Sequence, residues 1–264
     1  TWYWNRYRGA RCDLEWDTYS LSFNDEIEQE WNWSERYASQ PEILRYINFV
    51  ADKLDVRGNI ELNTTVTRAV FDEHAEMWTV STDTGASVRA RFLVSATGIL
   101  SVPSMPQFAV MDDFEGEIFH TGDWPHEGVD FAGKRVAVIG TGSSGIQSIP
   151  VIAEEAKTVT VFQRTATFTV PAANRPVTEN ERMATKRSYK QLRVQLRRSH
   201  IGALLEPPIG RFGEVDIRLV RGELERRWRG TGMSATMVLS DNLTSIEANN
   251  YTSQFVRDKI HEIV

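Results

Sequence analysis

The sequence predicts an α/β fold, and three regions of the chain carry that prediction. Near the middle, residues 135–140 read RVAVIG, an apolar run expected, like the second one below, to form a buried strand. A glycine turn, a helical pattern over 144–156 and a second apolar run at 158–163, TVTVFQ, follow it. Strand, glycine turn, helix and strand are the parts of a βαβ unit, whose two strands lie parallel. Ahead of this unit, short β-rich runs at 60–62, 64–71, 78–82 and 87–96 predict a β-meander, with Asp83-Thr84-Gly85 as one of its turns. Behind it, beyond Pro176, the pattern becomes helical over 180–200, 214–229 and 246–263.

The remaining elements follow the same rules. Residues 1–38 are crowded with Trp, Tyr and Arg but show no period. They read as a loop-rich segment lying over something flat and aromatic, or as a partner-binding surface. Ser39-Gln40-Pro41-Glu42 has the form of a capping box, and Ile43, Tyr46, Ile47, Val50 and Leu54 continue it as a helix. Residues 91–96 are apolar enough to be a buried strand. They end at Ala96-Thr97-Gly98, and Pro103 and Pro106 then mark a connection. The basic run within 180–200 reads as a solvated helix face rather than a nucleic-acid surface.

Bulk properties exclude several classes. A chain of 264 residues that is 41% hydrophobic and 25% charged can bury a core. Its net charge of −6 gives no global field for nucleic acid. No run approaches the roughly 18 apolar residues of a membrane span. The single cysteine, Cys12, excludes an internal disulfide framework and a CxxC redox pair, and fits a reducing, cytoplasmic setting. No metal site is expected, and the oligomeric state is not legible. The chain opens on Thr1-Trp2-Tyr3-Trp4 with neither a methionine nor a signal peptide, and is expected to begin inside a longer protein.

Gly140-Thr141-Gly142-Ser143-Ser144-Gly145 is G-x-G-x-x-G, placed between a predicted strand and a predicted helix as a dinucleotide fingerprint requires. The first glycine permits a tight turn, the second lets backbone N–H groups reach a pyrophosphate, and the third lets helix pack on strand. The helix N-terminus then faces the phosphates with its partial positive charge. An NAD site usually carries Asp or Glu at the end of the second strand, for the ribose 2′-hydroxyl. Phe162-Gln163-Arg164-Thr165 stands there instead. A carboxylate would repel a 2′-phosphate, whereas Arg164 offers a permanently charged fork and Thr165 a hydroxyl, so the expected coenzyme is NADPH.

Upstream lies Phe114-Glu115-Gly116-Glu117-Ile118-Phe119-His120-Thr121-Gly122-Asp123-Trp124-Pro125. It matches F-x-G-x-x-x-H-x-x-x-W-P at Phe114, Gly116, His120, Trp124 and Pro125, and so resembles the fingerprint of type I Baeyer–Villiger monooxygenases. The resemblance covers nearly the whole chain. Trp2 to Tyr7, Gly9 to Asp13, Glu30 to Ala38, Gln40 to Ile43, Gly140 to Gln147 and Phe162 to Thr165 are similar to the phenylacetone and cyclohexanone monooxygenase group.

That resemblance implies a two-dinucleotide-binding-domain flavoprotein, here an internal fragment. Residues 1–105 would be part of an FAD-binding domain that includes the meander, and 106–130 a linker with the fingerprint. Residues 131–264 would be an NADP-binding domain with a helical insertion. It implies FAD and NADPH as cofactors, a ketone and O2 as substrates, and insertion of one oxygen atom beside the ketone carbonyl to give an ester or lactone. Asp13 occupies the position of the aspartate that orients an active-site arginine, Trp2 and Tyr19 lie against the flavin, and His120 and Trp124 couple domain movement to chemistry. The NADP contacts are Gly140, Thr141, Gly142, Ser143, Ser144, Gly145, Gln147, Arg164 and Thr165.

The chain departs from the family pattern at Arg8 and Ala166, both usually proline, which relaxes loops near the cofactors. The family's first G-x-G-x-x-G and its active-site arginine are expected outside these residues, so this stretch by itself is expected not to turn over. Two other readings stand beside this one. A flavin N- or S-oxygenating monooxygenase is disfavoured by Trp124-Pro125, and the chain alone could be only an NADP-binding module. A disulfide reductase is excluded by the lone cysteine.

Overall fold

A computed structural model describes residues 2–199, 201–230 and 232–263. His200, at the end of the helical run expected over 180–200, lies outside the described residues. The chain divides into two units, one of residues 1–5 and 44–124, the other of residues 6–43 and 125–264.

The helices before the meander are α1 (Trp16–Tyr19), α2 (Asp25–Glu30) and α3 (Gln40–Lys53). Asn24 caps α2 by accepting from the Ile27 N–H at 3.0 Å, a standard solution for orphan donors at a helix start. The helix predicted from Ile43 is α3; of its periodic residues Ile43, Tyr46 and Val50 are buried, whereas Ile47 is exposed. Its expected capping box has a different partner. Glu42 accepts from the backbone N–H and hydroxyl of Ser34, each at 2.8 Å.

In the first unit, β1 (Val66–Asp72), β2 (Met77–Thr82) and β3 (Ser87–Ala90) form the predicted antiparallel meander in the order β1-β2-β3. Gly85 turns the chain at φ +82°, its N–H donating to Thr82 O at 3.2 Å. Phe71 and Trp78 are cross-strand partners with rings 5.3 Å apart. Two expectations fail here. Residues 60–62 form no strand, and Leu62 is 77% exposed. Residues 91–96 are neither a strand nor buried, with Phe92 at 78% and Val94 at 83% exposure. Strand geometry needs a neighbour for its backbone N–H and C=O groups, and no described strand lies beside residues 91–96.

In the second unit, β4 (Arg135–Ile139), α4 (Ser143–Glu155) and β5 (Thr158–Phe162) are the predicted βαβ unit, its strands parallel and paired from Arg135↔Thr158 to Ile139↔Phe162. Both strands were expected to be buried. Instead Ile139 is 65% and Phe162 56% exposed, because these two strands have no further strand beside them among the described residues. Residues 10–16, 34–39 and 174–177 run side by side. Cys12 N donates to Ala38 O at 3.0 Å, Trp16 N to Arg36 O at 2.9 Å, and Arg36 N to Arg175 O at 2.9 Å.

The helical region is α5 (Glu179–Arg198), α6 (Ile217–Gly230) and α7 (Ile246–His261), close to the expected bounds. Val220, Leu224, Val238, Leu239, Ala248, Phe255 and Val256 form its core. Each Val, Leu and Phe among them contributes roughly 1.5–3 kcal/mol by leaving water. Buried Arg227 ties loops to this core, its guanidinium donating to the carbonyls of Glu206 and Met237 at 3.2 Å and of Pro207 at 2.6 Å.

The basic face of α5 is not simply solvated, as was expected. Lys190 pairs with Asp25 at 3.2 Å, and Lys186 donates to Asn32 at 2.7 Å. Arg193 is buried, its Nε donating to Glu28 at 2.7 Å and its Nη1 to Asp17 O at 2.8 Å, over the ring of Tyr189. Burial pushes the Tyr189 hydroxyl up to about 12. A buried charge is tolerable only when paired. Arg193→Leu, which strands Glu28, should therefore lower unfolding free energy by about 3–5 kcal/mol. Adding Glu28→Leu should recover most of the loss, as read by chemical denaturation.

At the start of α5, Thr178 and Glu181 form a capping box, and Arg175 grips the Glu181 carboxylate with two hydrogen bonds at 2.5 and 2.9 Å. That grip, with the Thr178 hydrogen bonds, lowers Glu181 from 4.5 to about 2. A lowered folded pKa gives stability that is present above the ordinary value and lost as pH falls through the folded one. The loss should thus fall between 4.5 and about 2. An NMR titration of the Glu181 carboxyl should show the low midpoint, and Arg175→Ala should raise it.

Candidate functional site

The site is built where β4 ends. Gly140 adopts φ +98°, a conformation open to glycine, and its N–H donates to Phe162 O at 2.9 Å. Gly142 is the N-cap of α4, and no side chain caps that helix. The first-turn N–H groups are therefore left for an anion. A Cβ on Gly145 would lie 2.5 Å from Gly140 O, so only glycine lets α4 sit this close to the strand end. A Cβ on Gly142 would meet nothing within 4 Å. Gln163, which sequence reasoning did not single out, donates to the buried Thr141 hydroxyl at 2.6 Å and pins the turn to the end of β5. Arg164 and Thr165 follow it, both exposed, with no carboxylate at that strand end. This arrangement can hold a dinucleotide pyrophosphate at the turn and a further phosphate at Arg164.

A second cluster lies on α4. Gln147 Oε1 accepts from the Tyr7 hydroxyl at 2.9 Å and from the Arg11 N–H at 3.1 Å. Its Nε2 donates to Arg11 O at 3.2 Å and to Asp13 Oδ1 at 2.7 Å. Gly9, at φ +81°, lies so close to α4 that a Cβ would stand 2.2 Å from Gln147 O. Asp13 is exposed, while burial raises the Tyr7 hydroxyl and pushes the Cys12 thiol up to about 11. Arg8, where the resembling family has proline, pairs at the surface with Glu155 in the last turn of α4, at 3.3 Å. Tyr7 and the Arg11 main chain had no assigned role in the sequence reading. The glycine at position 9 was the available signal of a close approach.

The other candidate residues are dispersed. Trp2, in the first unit, and Tyr19, in the second, are each half-buried. Within the fingerprint, the Phe114 ring packs where a Gly116 side chain would stand, 2.5 Å from a Cβ there. His120 Nδ1 accepts from Gly122 N–H at 3.0 Å, and Trp124 is buried with its ring 5.8 Å from Phe119. Pro125 begins the next stretch of the second unit. Among the described residues no group of three or more His, Cys, Asp or Glu is placed to hold a metal ion, and no helix is long and apolar enough to cross a membrane.

Comparison with known proteins agrees with this geometry. The family profile described as pyridine nucleotide-disulphide oxidoreductase matches residues 15–199. A phenazine N-monooxygenase of Lysobacter antibioticus and a Baeyer–Villiger monooxygenase of Pseudooceanicola batsensis are each 40% identical to it. Both matches cover 100% of this chain and 49% of the relative. An oxidised steroid monooxygenase bound to NADP superposes with a TM-score of 0.92 at 50% identity, over 100% of this chain and 50% of that one. OTEMO in complex with FAD and NADP gives a TM-score of 0.90 at 38% identity, over 99% of this chain and 50% of its own. The chain spans about half the length of the curated relatives it matches.

The matches define a protein of the two-dinucleotide-binding-domain class. Within that class the chain belongs to the type I Baeyer–Villiger monooxygenase family.

Two of the turn glycines make different demands on stability. Gly145→Ala forces α4 off the strand end and should cost about 1–3 kcal/mol. Gly142→Ala meets no atom and should cost well under that. Thermal unfolding of the two variants side by side checks the difference.

Proposed function

We propose that this chain is the coenzyme-binding and carboxylate-bearing part of an FAD- and NADPH-dependent monooxygenase that inserts one oxygen atom of O2 beside a ketone carbonyl, giving an ester or lactone. The observation that carries the reading is the tie between Asp13 and α4 through Gln147, 2.7 Å from the carboxylate. It holds the Asp13 segment on the helix whose uncapped start suits a coenzyme pyrophosphate. The fingerprint from Phe114 to Pro125 and the named relatives support the choice of chemistry.

In this reading residues 1–105 belong to the FAD-binding domain, 106–130 to the linker and 131–264 to the NADP-binding domain. The N–H groups of Ser143, Ser144 and Gly145, with Gly140, Thr141 and Gly142, hold the pyrophosphate, and Arg164 with Thr165 holds the 2′-phosphate. Trp2 and Tyr19 face the flavin, which when bound supplies the reduction and activation of oxygen. Asp13 orients a guanidinium so that its charge is already in place where negative charge develops. Phe114, Gly116, His120, Trp124 and Pro125 form the turn that links the domains.

A second reading has its own support. The relative named as a phenazine N-monooxygenase is as similar as the Baeyer–Villiger relative, although the Trp124-Pro125 ending was expected to disfavour nitrogen oxidation. Assay of the FAD-loaded enzyme with a ketone panel and with phenazine separates the two. Ester or lactone that takes its new oxygen from labelled O2 supports the first reading. N-oxide without any ester overturns it.

Coenzyme choice follows from Arg164, which is exposed and has no carboxylate paired with it among the described residues. A charge-assisted contact contributes roughly 1.5–3 kcal/mol, so NADPH should bind tighter than NADH by about that amount. Arg164→Ala should remove most of the preference and leave NADH affinity little changed. Equal affinities in the unmutated protein, measured by titration, would contradict the assignment.

A further inference from the structure

We propose that Gln147 acts as a positioning residue for Asp13 rather than as a contact to the nucleotide. The inference rests on reading Asp13 as the carboxylate that orients the active-site guanidinium.

A primary carboxamide has two N–H donors and two acceptor sites, and Gln147 uses all four within the chain. Its oxygen accepts from Tyr7 and from the Arg11 N–H, at 2.9 and 3.1 Å. Its nitrogen donates to Arg11 O and Asp13 Oδ1, at 3.2 and 2.7 Å. No capacity is left for a ribose or phosphate. The residue also lies in the second turn of α4, away from the first-turn N–H groups that suit a phosphate.

The main chain at the same position supports the same segment. Gly9 rests against Gln147 O at a distance that no side chain allows. The loop from Tyr7 to Asp13 is thus held by one residue through both its carbonyl and its side chain.

Asp13 is left half-satisfied in a useful way. Oδ1 is occupied, while no donor to Oδ2 exists among the described residues and the side chain is exposed. Arg11, the nearest cation in sequence, points elsewhere, to Glu35 at 3.2 Å and Tyr37 O at 3.4 Å. One oxygen is therefore fixed and the other is presented to an incoming cation. Glutamate at 147 could not do this, because it would lack both donors and place a second carboxylate against Asp13.

The test uses the FAD-loaded holoenzyme and four variants. Gln147→Met keeps the size and removes all four hydrogen bonds, and Gln147→Glu keeps only the acceptor. Asp13→Ala is the control, and the double variant Gln147→Glu with Asp13→Asn restores a donor–acceptor pair with its polarity reversed. For Gln147→Met, kcat for ester formation should fall about tenfold or more, since small misplacements of reacting groups carry large rate costs, and less ester should form per NADPH consumed. The NADPH dissociation constant should stay within about twofold. Gln147→Glu should fall further, and the double variant should regain thermal stability but not ester formation.

A tenfold weaker NADPH affinity in Gln147→Met with unchanged coupling would overturn the proposal and make Gln147 a nucleotide contact. If Asp13→Ala loses ester formation and Gln147→Met does not, the positioning role alone fails. If Asp13→Ala retains it, the reading of Asp13 fails instead.

Discussion

One carboxamide ties the segment of residues 7–13 to α4. Gln147 is met on its oxygen by Tyr7 and Arg11 and on its nitrogen by Arg11 and Asp13. The segment it grips, residues 7–13, has little regular structure of its own. Its place is set from outside, by a helix that is itself placed by the glycine turn. Because Gly145 cannot carry a Cβ without striking Gly140 O, the helix start is fixed against the strand end. That position then propagates through Gln147 to the Asp13 carboxylate. A buried or half-buried polar group without a partner is costly, so a fully satisfied amide is also one with little reason to move.

A second network fixes the helical region. The acid-rich helix α2 and the cation-rich helix α5 meet through Asp25, Glu28, Lys190 and Arg193, with Lys186 reaching Asn32 nearby. These contacts differ in kind. The Lys190 pair is exposed and contributes little, as surface pairs do. The Arg193 pair is almost fully buried and leaves Nη2 without a partner. Such a pair is weak evidence for net stability, yet it discriminates strongly against any docking that separates its members.

The sequence made the local elements legible and the long-range ones much less so. The βαβ unit could be read because its glycines sit at fixed offsets between two apolar runs, and the meander because Asp83-Thr84-Gly85 is a strong turn. Residues 91–96 misled because apolarity reports a need for burial, whereas a strand also needs a neighbour, and no described strand lies beside them. Arg193 misled for the opposite reason. In a run of Lys and Arg it looks like its solvated neighbours, and only the packing of α5 on α2 separates it from them. The fingerprint from Phe114 to Pro125 was legible as a pattern, but the close contact of Phe114 with Gly116 and the acceptor role of His120 toward Gly122 were not. The tie between Gln147 and Asp13 joins residues 134 positions apart, and no local pattern encodes it.

That separation has a consequence for the order in which the unit assembles. The turn, α4 and β5 lie within a few dozen residues of one another, so their contacts close short loops and form early. Bringing residues 7–13 onto α4 closes a loop of 134 residues, an entropic cost on the order of 4 kcal/mol from the logarithmic length term. It also requires a docking surface that must already exist. The glycine turn is therefore a folded object before Asp13 has a place, and contacts made after the rate-limiting step act mainly on how fast the protein unfolds. Gln147 thus belongs to the kinetic persistence of the native state more than to the speed of reaching it.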